Sequence, residues 1–183
     1  MTISVLDALR RRRMHRYFEP APLPEETLRT LAWAATRAPA GGNQPSRVVL
    51  VVNDPRLVKT VVEVTPSYIG TMPAAIIVIL TDVESAEAQM GTQGREHLSR
   101  IDAGAAAENV ALAAIELGVG AYLFRSSNEA ALRAVLELPQ SVRVDWLAAV
   151  GKPAAQPSPA PRAPRQTVYV DRWGGAEWEL LKP

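Results

Sequence analysis

The hydrophobic pattern changes period along the chain, and each change marks an element. Ile3, Leu6 and Leu9 recur at helical spacing and predict a short helix from Ser4 to about Arg13. Pro20, Pro22 and Pro24 then force an extended connector. Pro24, Glu25 and Glu26 open a second helix, with proline in its first turn and acids at the positive end of the dipole. Its apolar face of Leu28, Leu31, Ala32 and Ala35 runs to about Arg37 and stops before Pro39. The run Arg47–Val52 is nearly continuous in β-branched residues, which predicts a strand buried on both faces. Asp54 caps a helix from about Arg56 to Val64, and an irregular stretch leads to a second buried strand from Ala74 to Leu80.

Asp82 to Ser99 is polar and carries Gly91 and Gly94; it is expected to be a mobile segment with room for one turn of helix, a candidate lid. Ile101 to Leu117 is the longest predicted helix, and its many alanines, with Gly104, let a second helix axis come close. Asp102 stands near its amino end, and Gly118 with Gly120 ends it. Glu108 and Asn109, mid-helix among small residues, fit solvent exposure and a polar contact between helices equally well. A third strand at Ala121–Phe124, a helix capped by Asn128 and running to Leu136, and a fourth strand from Val142 to Val150 follow. From Pro153 to Pro164 the composition turns to proline, alanine and serine, which build no core. Yet Gln166–Val170 has strong strand propensity and Trp173 and Trp178 lie beyond it, so the arm is expected to dock; on a second copy of the chain, its strand would complete the partner's sheet.

Composition narrows the classes. A chain of 183 residues, 48% hydrophobic and 21% charged, fits one domain over 1–183, with 153–183 as the arm. Twenty basic residues against 19 acidic ones leave a net charge of +1, which argues against a nucleic-acid or membrane binder. The five arginines of Arg10-Arg11-Arg12-Arg13-Met14-His15-Arg16 are therefore a local device, suited to an anion. Without cysteine there is no disulfide or thiolate chemistry, and with only His15 and His97 a histidine metal centre or triad is not expected. The longest apolar run, around Ala74 to Leu80, is of strand size, and the start has no secretory pattern, so a cytoplasmic protein is expected. The loop from Ala38 to Pro45, with Gly41, Gly42 and Asn43, fits either a cofactor cradle or an ordinary helix-to-strand turn.

Taken in order, several features resemble the FMN-dependent nitroreductase family: the arginine-rich helix end, Ala38-Pro39-x-x-Gly42-Asn43, the helix opening with Asp102 and closing on Leu117-Gly118-Val119-Gly120, Gly151-Lys152-Pro153, the arm, and Asp171-Arg172-Trp173-Gly174. The resemblance runs from Arg10 to Gly174. It implies an α+β fold, a three-layer α/β/α sandwich with a central, mainly antiparallel sheet and a C-terminal strand exchanged between the subunits of a homodimer. It also implies FMN as cofactor, held by Arg12, Arg13 and Arg16 at its phosphate and pyrimidine edge, with Met14 in place of the family's serine. Pro39, Ala40, Gly41 and Asn43 would lie over the ring carried by the other subunit; Ala40 replaces a serine, and one residue is missing around Gln44. Main-chain groups of Phe124, Arg125 and Ser126 would meet the ring near N5. Arg162 in the arm would add a phosphate contact, with Arg165 as the competing assignment.

The implied activity is electron transfer from NAD(P)H to nitroaromatic, quinone or similar conjugated small molecules by a ping-pong hydride route at the subunit boundary. No residue need act as nucleophile, and without a Gly-x-Gly-x-x-Gly turn the nicotinamide would share the pocket above the flavin. The shortness of the 82–99 segment implies an open pocket. The alternative is a relative of the same fold with weakened or lost FMN binding, suggested by Met14, Ala40 and the shortened loop.

Overall fold

Alternation along one interior strand sorts the whole core. In β2 (Ala75–Asp82), Ala75, Ile77 and Ile79 face one layer, built by α2 (Glu25–Thr36) and α5 (Ser99–Glu116). Ile76, Val78 and Leu80 face the other, with Val58 and Val61 of α3 (Pro55–Val64) and Leu132 of α6 (Glu129–Val135). Each fully buried side chain, such as Leu31, Ile77 or Leu147, contributes about 1.5–3 kcal/mol by leaving water. The structure, a computed structural model, describes residues 3–43, 45–155 and 167–179.

The sheet order is β1-β2-β4-β3, every pair antiparallel, with β1 (Arg47–Val52) and β3 (Gly120–Phe124) at the edges and β4 (Val142–Gly151) inside. This is the three-layer α+β arrangement around an antiparallel sheet that the family resemblance implied. A register shift between Ile79 and Leu80 leaves Asp145 as an extra residue in β4. The shift exchanges odd and even positions, so that Val144 and Leu147 face one layer while Trp146 and Ala148 face the other.

The small residues of α5 do admit close neighbours. Ala103, Ala106, Ala107 and Val110 pack with Leu28, Leu31 and Ala35 of α2. Asn109 Nδ2 donates to the carbonyl of Ala34 at 3.2 Å, and Glu108 pairs with Arg12, so both mid-helix polar residues make contacts beyond α5. A short helix, α1 (Val5–Arg11), crosses the same helix, its approach marked by the amide of Ile3 on the Glu116 carboxylate at 2.9 Å.

Four expectations need correction. The first helix ends at Arg11, not near Arg13, because Arg12 takes the non-helical angles φ −53°, ψ 125°. Strand β1 is not buried on both faces: it is a sheet edge, most of its residues stay partly accessible, and Val48 is 44% exposed. The 82–99 segment is not a loop with one turn of helix. It forms α4 (Val83–Gln93), capped by Asp82 on the amides of Glu84 and Ser85, then a π-helical turn at Gly94–Leu98 that runs into α5. Lastly, the strand expected at Gln166–Val170 does not form a regular strand over its described part, 167–170, where one antiparallel bridge joins Tyr169 to Glu177, flanked by the Val170 amide on Ala176 O and the Trp178 amide on Val168 O. Gln44, Arg162, Arg165 and the rest of the arm from Gln156 to Gln166 lie outside the described residues.

Candidate functional site

The predicted site residues fall at two corners of the sheet. At the first, the chain leaves α1 and runs beside β3 and the end of β4. The amide of His15 donates to Ala121 O at 2.9 Å, that of Glu19 to Lys152 O at 2.9 Å, and that of Ala154 to Tyr17 O at 3.0 Å. Phe18 is buried, and Thr71 holds its backbone twice: Oγ1 accepts from the Phe18 amide at 2.5 Å and donates to its carbonyl at 2.9 Å. Gly70 and Thr71 both donate amides to the Arg16 carbonyl. These bonds fix the arginine-rich segment as backbone, leaving its side chains to be accounted for.

The side chains divide by partner. Arg12 Nε lies 3.3 Å from Glu108 Oε1, and Arg13 Nη1 caps the carbonyls of Arg10 and Arg12 at 2.9 and 2.8 Å. The Arg16 guanidinium stands 4.8 Å above the Tyr122 ring, which in turn stacks on Phe124 at 5.5 Å. Among the described residues, Arg13 and Arg16 form no ion pair with a carboxylate. Buried polar atoms rarely go without a partner, yet His15 Nδ1, Arg16 Nε and Ser67 Oγ all do, in one segment and in the 65–73 loop that bonds it. Arg16 Nε can only donate, and a neutral His15 Nδ1 and the Ser67 hydroxyl can each donate or accept, so an acceptor group suits all three. His15 stays neutral to lower pH than an ordinary histidine, first because it is partly buried and second because Arg13 is near.

Phe124, Arg125 and Ser126 continue from this corner along the β3 edge. Phe124 is buried, Arg125 is exposed, and Ser126 Oγ accepts from the amide of Asn128 at 3.0 Å.

At the second corner is the turn before β1. Gly41–Asn43 form one 3-10 turn, with Gly42 at φ 59° and Asn43 at φ 56°. The turn is tied from its inner side by residues that sequence reasoning did not assign. Asp102 Oδ2 accepts from the Gly41 amide at 2.9 Å. Arg47 donates to the carbonyls of Ala35 at 3.0 Å and Pro39 at 2.8 Å. The Met90 thioether packs beside it, such that a Cβ on Gly41 would lie 3.1 Å from Met90 Cε. Pro39 and Asn43 are exposed, and Ala40 and Gly41 half-buried. The two remaining unpartnered atoms, Arg47 Nε and Gln89 Oε1, belong to this corner and to the residue before Met90.

The register places the corners far apart in one chain. Arg47 pairs across β2 to Arg143, whereas Ala121 pairs with Val150, seven positions further along β4. That separation is about 14 Å across the strands and about 20 Å along them. A single chain does not bring Arg16 to the 38–43 turn.

The cleft at the start of β4, about 260 Å³, lies at neither set of predicted residues. Its lining arginines, Arg95, Arg100, Arg133 and Arg143, stand within 4 Å of the carboxylates of Glu87, Glu96, Glu129 and Asp145, so it has no surplus charge for an anion. Among the described residues, no cluster of metal-ligating side chains forms, and no helix is long and apolar enough to cross a membrane.

Comparison with known proteins identifies the family. The chain is 30% identical over 204 aligned positions to a Thermus thermophilus protein named NADH dehydrogenase, covering 93% of this chain and 98% of the relative. It is 28% identical to an NADPH-dependent oxidoreductase of Staphylococcus haemolyticus, over 92% of this chain and 73% of that one. The FMN complex of a nitroreductase homologue from Desulfovibrio desulfuricans superposes with a TM-score of 0.74 at 29% identity, covering 89% of this chain and 94% of the other. With residues 9–69 and 63–152 matching the Nitroreductase family model, this chain belongs to the nitroreductase family.

Proposed function

We propose that the protein is an FMN-dependent NAD(P)H oxidoreductase that works as a homodimer and reduces nitroaromatics, quinones or similar conjugated acceptors. The observation that carries this reading is the first corner, where, among the described residues, Arg13 and Arg16 have no carboxylate partner and Arg16 Nε, His15 Nδ1 and Ser67 Oγ are buried without a hydrogen-bond partner. Such a set fits an anionic group with further acceptor oxygens, as FMN has in its phosphate and ring carbonyls. The names of the relatives, an NADH dehydrogenase and an NADPH-dependent oxidoreductase, and the FMN in the solved homologue support the same choice.

When bound, FMN would supply the redox chemistry by taking a hydride from NAD(P)H and passing the electrons on. The chain's part is to bind and orient. Arg16, held over Tyr122, presents its free Nε edge; Arg13 adds charge while capping α1; and Arg12 joins them to the extent that Glu108 releases it. Main-chain groups of Phe124 to Ser126 continue the same edge toward the ring. Pro39, Ala40, Gly41 and Asn43 cover the ring of the other chain, a role suited to a turn that lies at the opposite corner from its own arginines. Arg162 would close on the phosphate from the arm. The exposure of Trp173 at 92% and Trp178 at 66% supports an arm that docks on a second copy.

The second reading, a family member that no longer turns over, is favoured by Met14, by Ala40 and by the engagement of Arg12 with Glu108. One preparation separates them. Purified protein that is yellow, releases FMN on denaturation and oxidises NADPH in the presence of a nitroaromatic supports the first. Colourless protein that takes up no added FMN contradicts it.

A further inference from the structure

We infer that Asp102 and Arg47 are positioning residues for the site across the subunit boundary. The inference rests on the reading above, in which the 38–43 turn covers the flavin of the other chain.

Two consecutive residues of the turn, Gly42 and Asn43, have positive φ, which glycine and asparagine adopt more readily than other residues, and the position of the turn is set by its polar partners. Its inner polar groups are then divided between two opposite charges. The Gly41 amide donates to the Asp102 carboxylate, while the Arg47 guanidinium donates to the carbonyls of Ala35 and Pro39 and reaches that of Ala38 at 3.4 Å. The two charges support each other as well as the turn: burial disfavours the cationic form of Arg47, and the nearby Asp102 opposes that effect. Removing Asp102 therefore does two things. It leaves the Gly41 amide without its acceptor, and it leaves a half-buried guanidinium without its counter-charge.

Both side chains act from the core side, Asp102 from the first turn of α5 and Arg47 from the first residue of β1. The outer surface of Pro39 and Asn43 stays open. Neither Asp102 nor Arg47 is placed to touch a ligand covered by that surface, so their influence on it runs through the turn.

The test compares Asp102→Ala, Asp102→Asn and Arg47→Met with wild type as FMN-loaded dimers. In Asp102→Ala the flavin's visible absorption and circular dichroism change, and KM for the nitroaromatic rises about tenfold, as expected for one lost hydrogen bond to a charged group. FMN affinity moves by less than about threefold, because the phosphate is held by the arginines of the other chain. Asp102→Asn retains an oxygen that accepts from Gly41 but not the charge that faces Arg47, so it falls between wild type and Asp102→Ala. Arg47→Met reproduces the Asp102→Ala signature, and it serves as the reading if Asp102→Ala does not fold. A mixed dimer of an Asp102→Ala chain with an Arg16→Met chain contains one site with both halves intact, so it recovers about half the wild-type activity although each parent homodimer is impaired.

Flavin-binding wild type whose Asp102→Ala and Arg47→Met variants keep the wild-type spectrum and KM overturns this inference alone. A mixed dimer no better than its parents also overturns it. Wild type that binds no FMN overturns the underlying reading together with it.

Discussion

Replacing Arg16 with methionine removes the guanidinium and keeps most of the aliphatic length over Tyr122. A charge-assisted hydrogen bond contributes about 1.5–3 kcal/mol, at the low end where solvent reaches a half-buried group. At about 1.4 kcal/mol per tenfold, the dissociation constant for FMN should rise roughly 10- to 150-fold. The lost cation–π contact with Tyr122, about 0.5–1 kcal/mol, affects free and loaded protein alike, so it shows in the melting temperature and cancels from the affinity. Quenching of flavin fluorescence measures the affinity, with FMN and riboflavin titrated in parallel. Weakening for FMN alone places Arg16 on the phosphate, and equal weakening for both places it on the ring edge. An Arg16→Met protein that binds FMN within about twofold of wild type would refute the reasoning, since an unpartnered Nε at the site would then have served nothing.

Two further outcomes follow from the packing and the charge placement. Asp145 is 3% exposed and accepts from Arg143 Nε at 2.8 Å and Thr81 Oγ1 at 2.5 Å; Asp145→Ala strands the Arg143 guanidinium and should cost about 3–5 kcal/mol in urea unfolding, whereas a loss below about 1 kcal/mol would contradict the network. His15, whose folded pKa lies below its unfolded value, binds fewer protons folded than unfolded, so apo-protein stability should be fully present above about pH 6.5 and fall as pH drops through that value toward the folded pKa. His15→Gln should flatten that slope in thermal melts from pH 7.5 to 5.5, about the range over which histidine titrates, and an unchanged slope would show that the decline has another source.

Most elements were legible because their signals are local. Arg47–Val52 reads as a strand from its β-branched run alone, and Asp54 and Asn128 announce their helices as caps. The position of β1 at an edge was not legible, since a run of valines looks the same with one neighbour as with two. The 82–99 segment was misread for a different reason. Gly91 and Gly94 resemble breakers, but Gly94 is needed for close packing: a Cβ there would lie 2.3 Å from the Ala86 carbonyl. Gly91, at φ 59°, absorbs a kink within α4, and the helix buries little besides Ala86, so no apolar stripe advertised it. The Asp82-Val83-Glu84 start was the available clue, an acid cap before a helical first turn.

For the site, residue type pointed to the arginine cluster, but pairing was invisible. That Glu108 takes Arg12 while Arg16, among the described residues, meets no carboxylate depends on where α5 lies. Asp102 was seen only as a charge favourable to its helix, because the amide it accepts from lies 61 residues away in the chain.

The central claim is that arginines of one chain and the turn of another together hold one flavin. Sedimentation velocity recorded at both protein and flavin absorption wavelengths tests it most directly. The account predicts that flavin absorbance travels with the dimer, two FMN per dimer, and is lost from any monomer produced by dilution. Flavin carried by a stable monomer, or a dimer that sediments without it after loading with excess FMN, would contradict the account.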